Sequence, residues 1–326
     1  MRVVITGGAG FIGANLCRRL LATPDVDDVV VLDNLATGSA ANIAGLPVRF
    51  IEGSILDNEA LDEAFAGAAA VVHLAALGSV PRSVADPMAS HLNNATGTAM
   101  VLEAARRHAN LHTIVASSSS VYGSNPVLPK HEDLATRPMS PYAATKLATE
   151  SYTLAWANAY GLPARAFRFF NVFGPLQPAG HAYAAVIPAF VDAALSGQPL
   201  VVHGDGEQSR DFTYVGTVTT TLAAAVVRKI TSDIPINLAF GSRVRLLDVI
   251  TRIEAELGHP VERRHVERRA GDVAHSQADC SRLLALFPDV QPVPFDDHDV
   301  AAWLLMQRQQ SRPQAGEAAT NHDQIR

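Results

Sequence analysis

The residues Ile5-Thr6-Gly7-Gly8-Ala9-Gly10-Phe11-Ile12-Gly13 follow an apolar run, Arg2–Thr6, and open a helical pattern, Phe11–Thr23. A strand that turns through glycines straight into a helix leaves the amides of the helix's first turn unpaired and in line with its dipole. That end of a helix is a ready site for anionic phosphates. At this spacing Gly7 serves the tight turn, Gly10 lets the backbone approach a pyrophosphate, and Gly13 lets the helix pack closely on the sheet. Asp33 closes the second apolar run, 20 residues after Gly13. A carboxylate there accepts hydrogen bonds from the adenosine ribose hydroxyls and repels a 2′-phosphate, so the pattern points to NAD rather than NADP.

Short β-branched runs alternate with longer helical stretches through the first half. The runs are Arg2–Thr6, Val29–Asp33, Val48–Ile51, Ala70–Ala75, His112–Ser117 and Ala164–Phe170, with helical patterns at Phe11–Thr23, Asn93–His108 and Tyr142–Tyr160. Such alternation predicts βαβ units, and strands that are apolar almost throughout predict a sheet buried on both faces. The fold class expected is α/β, a Rossmann-type doubly wound parallel sheet with a smaller α/β substrate lobe. After Asn171, glycine and proline recur, and helices are expected near Ala185–Ser196, Val215–Lys229 and Leu246–Leu257. The division expected is a NAD-binding unit over 1–170 that also takes in about 211–239, a discontinuous substrate-binding lobe over 171–310, and a polar, flexible tail over 311–326.

Composition excludes several classes. Of 326 residues, 48% are hydrophobic and 18% charged, which is globular rather than disordered. The net charge is −6 and no basic block is interleaved with aromatics, so no nucleic-acid partner is expected. Arg263–Arg264 and Arg268–Arg269 read as solvated or anion-binding clusters. Cys17 and Cys280, the only cysteines, form no disulfide framework, which suits a reducing compartment. The first strand starts at Arg2, which leaves no room for a signal peptide, and no apolar run reaches membrane-spanning length. The expectation is a soluble cytoplasmic protein with no membrane partner. His73, His181 and His275 have no metal-ligand spacing, so no metal is expected.

Ser140-Pro141-Tyr142-Ala143-Ala144-Thr145-Lys146 has the form of a helix start, with Ser140 as N-cap and Pro141 in the first turn. Tyr142 and Lys146, four apart, project from one helical face. A free tyrosine has a pKa near ~10, so a base at neutral pH needs a drop of roughly 3 units, about 4 kcal/mol of preference for the phenolate. A nearby ammonium and the positive nicotinamide of NAD are the expected sources. The run His112 to Gly123 ends in Ser117-Ser118-Ser119-Ser120, hydroxyls at a strand's carboxyl end, where open α/β sheets place ligands. Such serines can equally satisfy their own loop backbone as ST-turns.

At these residues the chain resembles the extended short-chain dehydrogenase/reductase family, and within it the UDP-sugar 4-epimerases, especially those acting on N-acetylated UDP-hexosamines. The likeness runs from Met1 to about Asp279 and also includes Gly78-Ser79-Val80-Pro81-Arg82-Ser83, Arg168-Phe169-Phe170-Asn171-Val172-Phe173-Gly174, Tyr183-Ala184-Ala185-Val186, Ser209-Arg210-Asp211 and Arg269-Ala270-Gly271-Asp272. The resemblance implies Tyr142 as base, Lys146 on the nicotinamide ribose, Ser118 sharing the proton and Ser119 as helper. It implies a cofactor lining of Gly7, Gly10, Phe11, Ile12, Gly13, Asp33, Asn34, Gly38, Ser54, Ile55, Leu74, Ala75, Ala76, Asn93 and Phe169. It implies a substrate lining of Gly78, Ser79, Val80, Ser118, Ser120, Asn171, Ala185, Val186, Arg210, Arg269, Asp272 and Ser276, around a UDP-sugar. Ser54 stands where the family usually has Asp, and Phe169 where it often has Tyr. The resemblance also implies a homodimer through the helices at Asn93–His108 and Tyr142–Tyr160.

The serine run discriminates among siblings. Related 4,6-dehydratases carry Thr-Asp-Glu where this chain has Ser118-Ser119-Ser120, and expelling the C6 hydroxyl needs that acid pair. Neutral serines favour a 4-epimerase of UDP-GlcNAc or UDP-glucose. The alternatives kept are a nucleotide-sugar dehydratase or reductase, and a non-catalytic NAD-binding regulatory protein. Ser276 matches a position where some glucose-specific relatives have a bulky Tyr, so a small serine leaves room for a 2-acetamido group.

Overall fold

The computed structural model describes residues 1–179, 184–267 and 273–295. In chain order come β1 (Arg2–Thr6), α1 (Phe11–Leu21), β2 (Asp28–Asp33), β3 (Arg49–Glu52), α2 (Asn58–Phe65) and β4 (Ala70–His73). Next are α3 (Val80–Ala85), α4 (Pro87–His91), a π-helical turn at Leu92–Thr96 and α5 (Gly97–Arg107). The first half closes with β5 (His112–Ser118), α6 (Pro141–Tyr160) and β6 (Ala164–Phe169). Beyond it lie β7 (Val172–Phe173), α7 (Val186–Leu195), β8 (Leu200–His203), β9 (Ser209–Arg210), β10 (Thr213–Tyr214) and α8 (Val215–Val227). The described chain ends with β11 (Ile236–Leu238), β12 (Val244–Arg245), α9 (Leu246–Leu257), β13 (Arg263–Val266) and α10 (Ser281–Leu286).

Seven strands form one sheet in the order β11-β6-β5-β4-β1-β2-β3, every neighbouring pair parallel. This is the doubly wound Rossmann-type order, and the strand order reverses between β1 and β4, where such sheets open a crevice. The pleat explains the near-continuous apolar strands. Val3 and Ile5 of β1 and Val29 and Val31 of β2 pack with Leu16 and Leu20 of α1 and Val218 and Leu222 of α8. Val4, Val30 and Leu32 face the other way, against Leu61 and Phe65 of α2 and Val101 and Leu102 of α5. Alternate residues are thus buried on opposite faces.

Two expected elements end differently. The fourth strand stops at His73 rather than Ala75, because Leu74 onward leaves the ladder to line the crevice. The helix expected from Asn93 starts earlier: helical backbone runs from α4 through the π-helical turn at Leu92–Thr96 into α5. A Cβ at Gly97 would lie 2.4 Å from Ile55 Cδ1, so a glycine permits this close approach. The smaller lobe gathers α7 and α9 over the β8–β13 pair, with Ile187, Phe190, Leu200, Val202, Val249 and Ile250 in its core. Strand β11 and helix α8 return from that lobe to the main sheet and its α1 face.

Candidate active site

A cavity of about 290 Å³ lies at the reversal of strand order. Its walls are the glycine turn (Gly7, Gly10, Phe11, Ile12, Gly13), the end of β2 (Asp33, Asn34), Gly53 and Ile55, the segment Leu74–Gly78, and Asn93. The turn is drawn tight: a Cβ at Gly13 would sit 2.2 Å from the Gly7 carbonyl oxygen, and one at Gly7, where φ is +74°, 2.7 Å from the Ala75 amide nitrogen. Asp33 fixes this geometry from below. Its Oδ2 accepts from the Ala9 amide at 3.0 Å and its Oδ1 from the Leu35 amide at 2.8 Å. Each carboxylate oxygen keeps a further lone pair for another donor.

Helix α6 starts as the sequence indicates. Ser140 Oγ accepts from the Ala143 amide at 3.1 Å, and Pro141 occupies the first turn. Lys146 is buried and its Nζ donates to the Ala116 carbonyl of β5 at 2.7 Å. Burial pushes its pKa down to about 8. The Ser118 hydroxyl stands near enough to the Tyr142 phenol to lower its pKa. Ser118 Oγ accepts from both the Ser120 amide, at 3.2 Å, and the Ser120 hydroxyl, at 2.9 Å. With its acceptor sites so filled, Ser118 is left its one proton to offer a neighbouring acceptor. Burial nonetheless raises the phenol above its ordinary range, and Ser118 pulls it back only in part. The expected drop is therefore not produced by the chain's own groups: burial of a phenol in a low-dielectric setting disfavours its anion.

Two side chains, Ser83 and Asn94, tie the start of α6 to the segments beside the cavity. Fully buried Ser83 donates from Oγ to the Val80 carbonyl at 2.7 Å and accepts from the Tyr142 amide at 3.0 Å. Asn94, in the π-helical turn, exchanges two bonds with the Leu77 backbone, at 2.7 and 3.1 Å, and donates to Thr145 Oγ1 at 3.0 Å. Ser79, between these, holds φ at +100° and caps α3.

On the lobe side, Asp211 joins three segments. Its buried carboxylate accepts from the Gly241 and Ala278 amides and the Ser242 hydroxyl, at 3.1, 3.0 and 3.0 Å. Burial pushes its pKa up to about 6. Asn171 Nδ2 donates to the Asp211 carbonyl at 3.2 Å, and the Ser276 amide donates to the Ser209 carbonyl at 3.0 Å, beside Arg210. Asn171, Arg210 and Ser276 are thus parts of one framework.

The sequence profile of the NAD dependent epimerase/dehydratase family matches residues 3–239. The chain belongs to that family. It is 36% identical over 289 residues to a UDP-glucose 4-epimerase of Mycolicibacterium smegmatis, covering 86% of this chain and 91% of that one. It is 36% identical over 224 residues to a dTDP-glucose 4,6-dehydratase of Streptomyces niveus, covering 66% of each. Among solved structures, a UDP-N-acetylglucosamine 4-epimerase of Methanobrevibacter ruminantium in complex with UDP-N-acetylmuramic acid superposes with a TM-score of 0.85 at 35% identity, covering 94% of this chain and 98% of that one.

The cofactor of this epimerase/dehydratase family is NAD, and the cavity suits it. Phosphates fit the glycine-lined helix start, and Asp33 stands at the strand end where a ribose diol needs acceptors. Three residues expected in the lining make these contacts beside the cavity. Gly38 packs on the turn itself, where a Cβ would lie 2.8 Å from the Ala9 carbonyl carbon. Ser54 accepts from the Leu56 amide at 3.1 Å, closing a local turn, while its neighbours Gly53 and Ile55 face the cavity. Phe169 packs on the core cluster behind the sheet.

On the substrate side, Ser120 spends its hydroxyl on Ser118, and Ser119 opens the 3₁₀ turn Ser119–Tyr122 beside that chain. Val80 is 37% exposed and Ala185 and Val186 begin α7. Arg269 and Asp272 lie outside the described residues, as do Tyr183 and His181. His73 bridges Thr6 Oγ1 at 2.7 Å and Thr98 Oγ1 at 3.1 Å, and burial keeps it neutral by pushing its pKa down to about 3. His275 pairs with Ser209 Oγ at 2.9 Å. No group of potential metal ligands occurs among the described residues, and none of their helices is long and apolar enough to cross a membrane.

Ser83 and Asn94 were not legible as functional. Ser83 lies within the Gly78–Ser83 motif and Asn94 beside Asn93, but their partners on α6 are 59 and 51 residues away. Only contact in space distinguishes them.

Proposed function

We propose that this protein is a NAD-dependent 4-epimerase of a UDP-hexose, with UDP-N-acetylglucosamine and its galacto isomer as the preferred pair. The observation that carries this reading is the hydroxyl pair Ser120–Ser118 set beside Tyr142, neutral where a dehydratase needs a carboxyl pair. Tyr142 takes the proton of the sugar's 4-hydroxyl, with Ser118 holding the phenol oxygen in line. The glycine turn and Asp33 would hold NAD, which would supply a hydride acceptor and donor for C4 and a positive ring favouring the phenolate that burial disfavours. Asn171 and Arg210 anchor the diphosphate while the keto sugar turns, and Tyr142 then returns its proton to the new alkoxide.

The test is proton NMR of UDP-N-acetylglucosamine and of UDP-glucose incubated separately with enzyme and no added cofactor. Appearance of the galacto isomer supports the reading. A product lacking its C6 hydroxyl establishes the dehydratase alternative, which the Streptomyces niveus relative keeps in view. Unchanged substrates with NAD still bound would favour a regulatory protein.

The preference for the N-acetyl sugar rests on Ser276, a small residue whose amide is hydrogen bonded to the Ser209 carbonyl. Ser276→Tyr is expected to lower kcat/KM for UDP-N-acetylglucosamine by about 10- to 100-fold, the scale of lost pocket complementarity, with UDP-glucose turnover retained. Equal losses on both substrates would overturn the pocket argument.

The functional unit is proposed to be a homodimer. Tyr152, Trp156 and Tyr160 form an edge-on ladder along α6, with ring centroids 5.8 and 5.7 Å apart, and Tyr152 and Tyr160 are 38% and 52% exposed. Met88 and Leu92, at the approach to α5, are 63% and 46% exposed. Tyr152→Glu with Leu92→Glu is expected to reduce the mass measured by light scattering from twice 34.6 kDa to a single copy. An unchanged dimer would place the interface elsewhere.

A further inference from the structure

We propose that Ser117, Glu150 and Arg168 are positioning residues: a buried tether that fixes where α6 sits along β5, and so holds Tyr142 and Lys146 against Ser118. The inference rests on the reading of Tyr142 as the proton carrier and adds residues that do not touch the substrate.

Three consecutive residues of β5 each hold one part of α6. The Ala116 carbonyl accepts from Lys146 Nζ at 2.7 Å. Ser117 Oγ lies 3.2 Å from the Lys146 carbonyl and 2.9 Å from Glu150 Oε2, so its single proton is shared between two acceptors on α6. Ser118, the third, stands against Tyr142, near enough to lower the phenol's pKa. From the next strand, Arg168 stands opposite Ser117 in the β5–β6 register and clamps Glu150 with two bonds, Nη2 to Oε1 at 2.7 Å and Nε to Oε2 at 3.0 Å. Its guanidinium lies over the Tyr122 ring, 4.7 Å from the centroid, and its Nη1 donates to the Glu132 carbonyl at 3.4 Å.

The packing explains why such a tether is needed. The buried residues of α6 are Ala143, Thr145, Lys146, Thr149, Glu150 and Thr153, with no large aliphatic or aromatic side chain among them. A face of small and polar groups has few bulky knobs to lock it into one position, so directional bonds must set its register. Stability alone is a weak account of the ion pair, whose side chains are each 4% exposed. Two charges removed from water recover little net energy, and well-packed apolar replacements are often as stable. What an apolar pair cannot supply is direction. A displacement of about 1 Å between reacting groups can cost on the order of 10²-fold in rate.

Two variants separate positioning from folding: Ser117→Ala, which removes only the shared proton, and the double replacement Glu150→Leu with Arg168→Met, which exchanges the ion pair for apolar groups. Each is measured as holoenzyme by thermal unfolding, by kcat and KM, and by the pH titration of Tyr142, followed as the ¹³Cζ-tyrosine NMR signal absent from Tyr142→Phe. The expected result is a melting temperature close to wild type, kcat reduced 10- to 100-fold with KM within about threefold, and Tyr142 titrating at higher pH as Ser118 is lost. Wild-type kcat and an unmoved Tyr142 titration in folded variants would overturn the proposal, as would a change confined to KM. If the double variant does not fold, Ser117→Ala alone decides by the same criteria. If the wild-type enzyme turns over neither UDP-sugar, the proposed function fails, while the Tyr142 titration still tests the tether.

Discussion

Tyr142→Phe is expected to lower kcat by about 10²–10⁴-fold, the usual contribution of a positioned acid–base group, with KM and bound NAD little changed. The substitution removes one oxygen and keeps the ring. The backbone amide of residue 142 still donates to Ser83 Oγ, and the Ser140 cap on Ala143 is untouched, so the helix start has no reason to move. The loss should therefore appear in the chemical step and not in assembly. NMR of epimer formation gives the rate, and absorbance of the purified variant gives its NAD content. A variant that turned over at the wild-type rate would show that the proton leaves the sugar by another route. A companion loss of NAD would show instead that the phenol serves binding.

Gly13→Ala should be nearly as damaging for a different reason. Alanine favours a helix over glycine by roughly 1 kcal/mol, so on propensity alone the change would stabilise α1. Sterics oppose it. The new Cβ would meet the Gly7 carbonyl oxygen at 2.2 Å and the Gly8 Cα at 2.6 Å, both of them backbone and neither able to swing aside. Overpacking of this kind costs about 1–3 kcal/mol, enough to outweigh the helix gain. The loop that would have to shift carries the cavity wall, so the variant is expected to purify with less than about a tenth of the wild-type NAD. Added NAD should then raise its melting temperature far less than in wild type, as linkage requires of a weakened site. Wild-type NAD content together with a wild-type melting temperature would contradict the close approach of α1 to the turn.

Much of the frame was legible because it is written in local patterns. The glycine turn, the apolar strands and the capped start of α6 each need only a short window of sequence, and each stands where the pattern placed it. The crevice lining was also largely legible, from Gly7 to Asn93, since it follows from where strands end. Roles that depend on partners distant in sequence were not. Ser120 as a donor to Ser118, Ser83 beneath Tyr142 and Asn94 clasping Leu77 are visible only once the chain has folded. The burial that opposes a Tyr142 phenolate was hidden for the same reason. Sequence reveals a lysine one turn away, but burial, which dominates, is a property of the assembled site.

The return of the chain from the smaller lobe to the main sheet has a consequence for how the protein is made. β11 completes the sheet beside β6, and α8 covers the face that α1 and the inward residues of β1 and β2 leave apolar. A nascent chain that has emerged only as far as β6 therefore carries most of its strands but lacks the helix that seals one side of them. It must wait for α8 and β11 before that side is covered, and the core of the smaller lobe forms later still, because it needs α9 and β13. Long separations between contacting segments slow folding, and apolar surface left open during synthesis invites association with other chains. A ribosome pausing between β6 and α8 should thus hold this protein at its most chaperone-dependent stage, whereas a pause after β11 should find the sheet already closed.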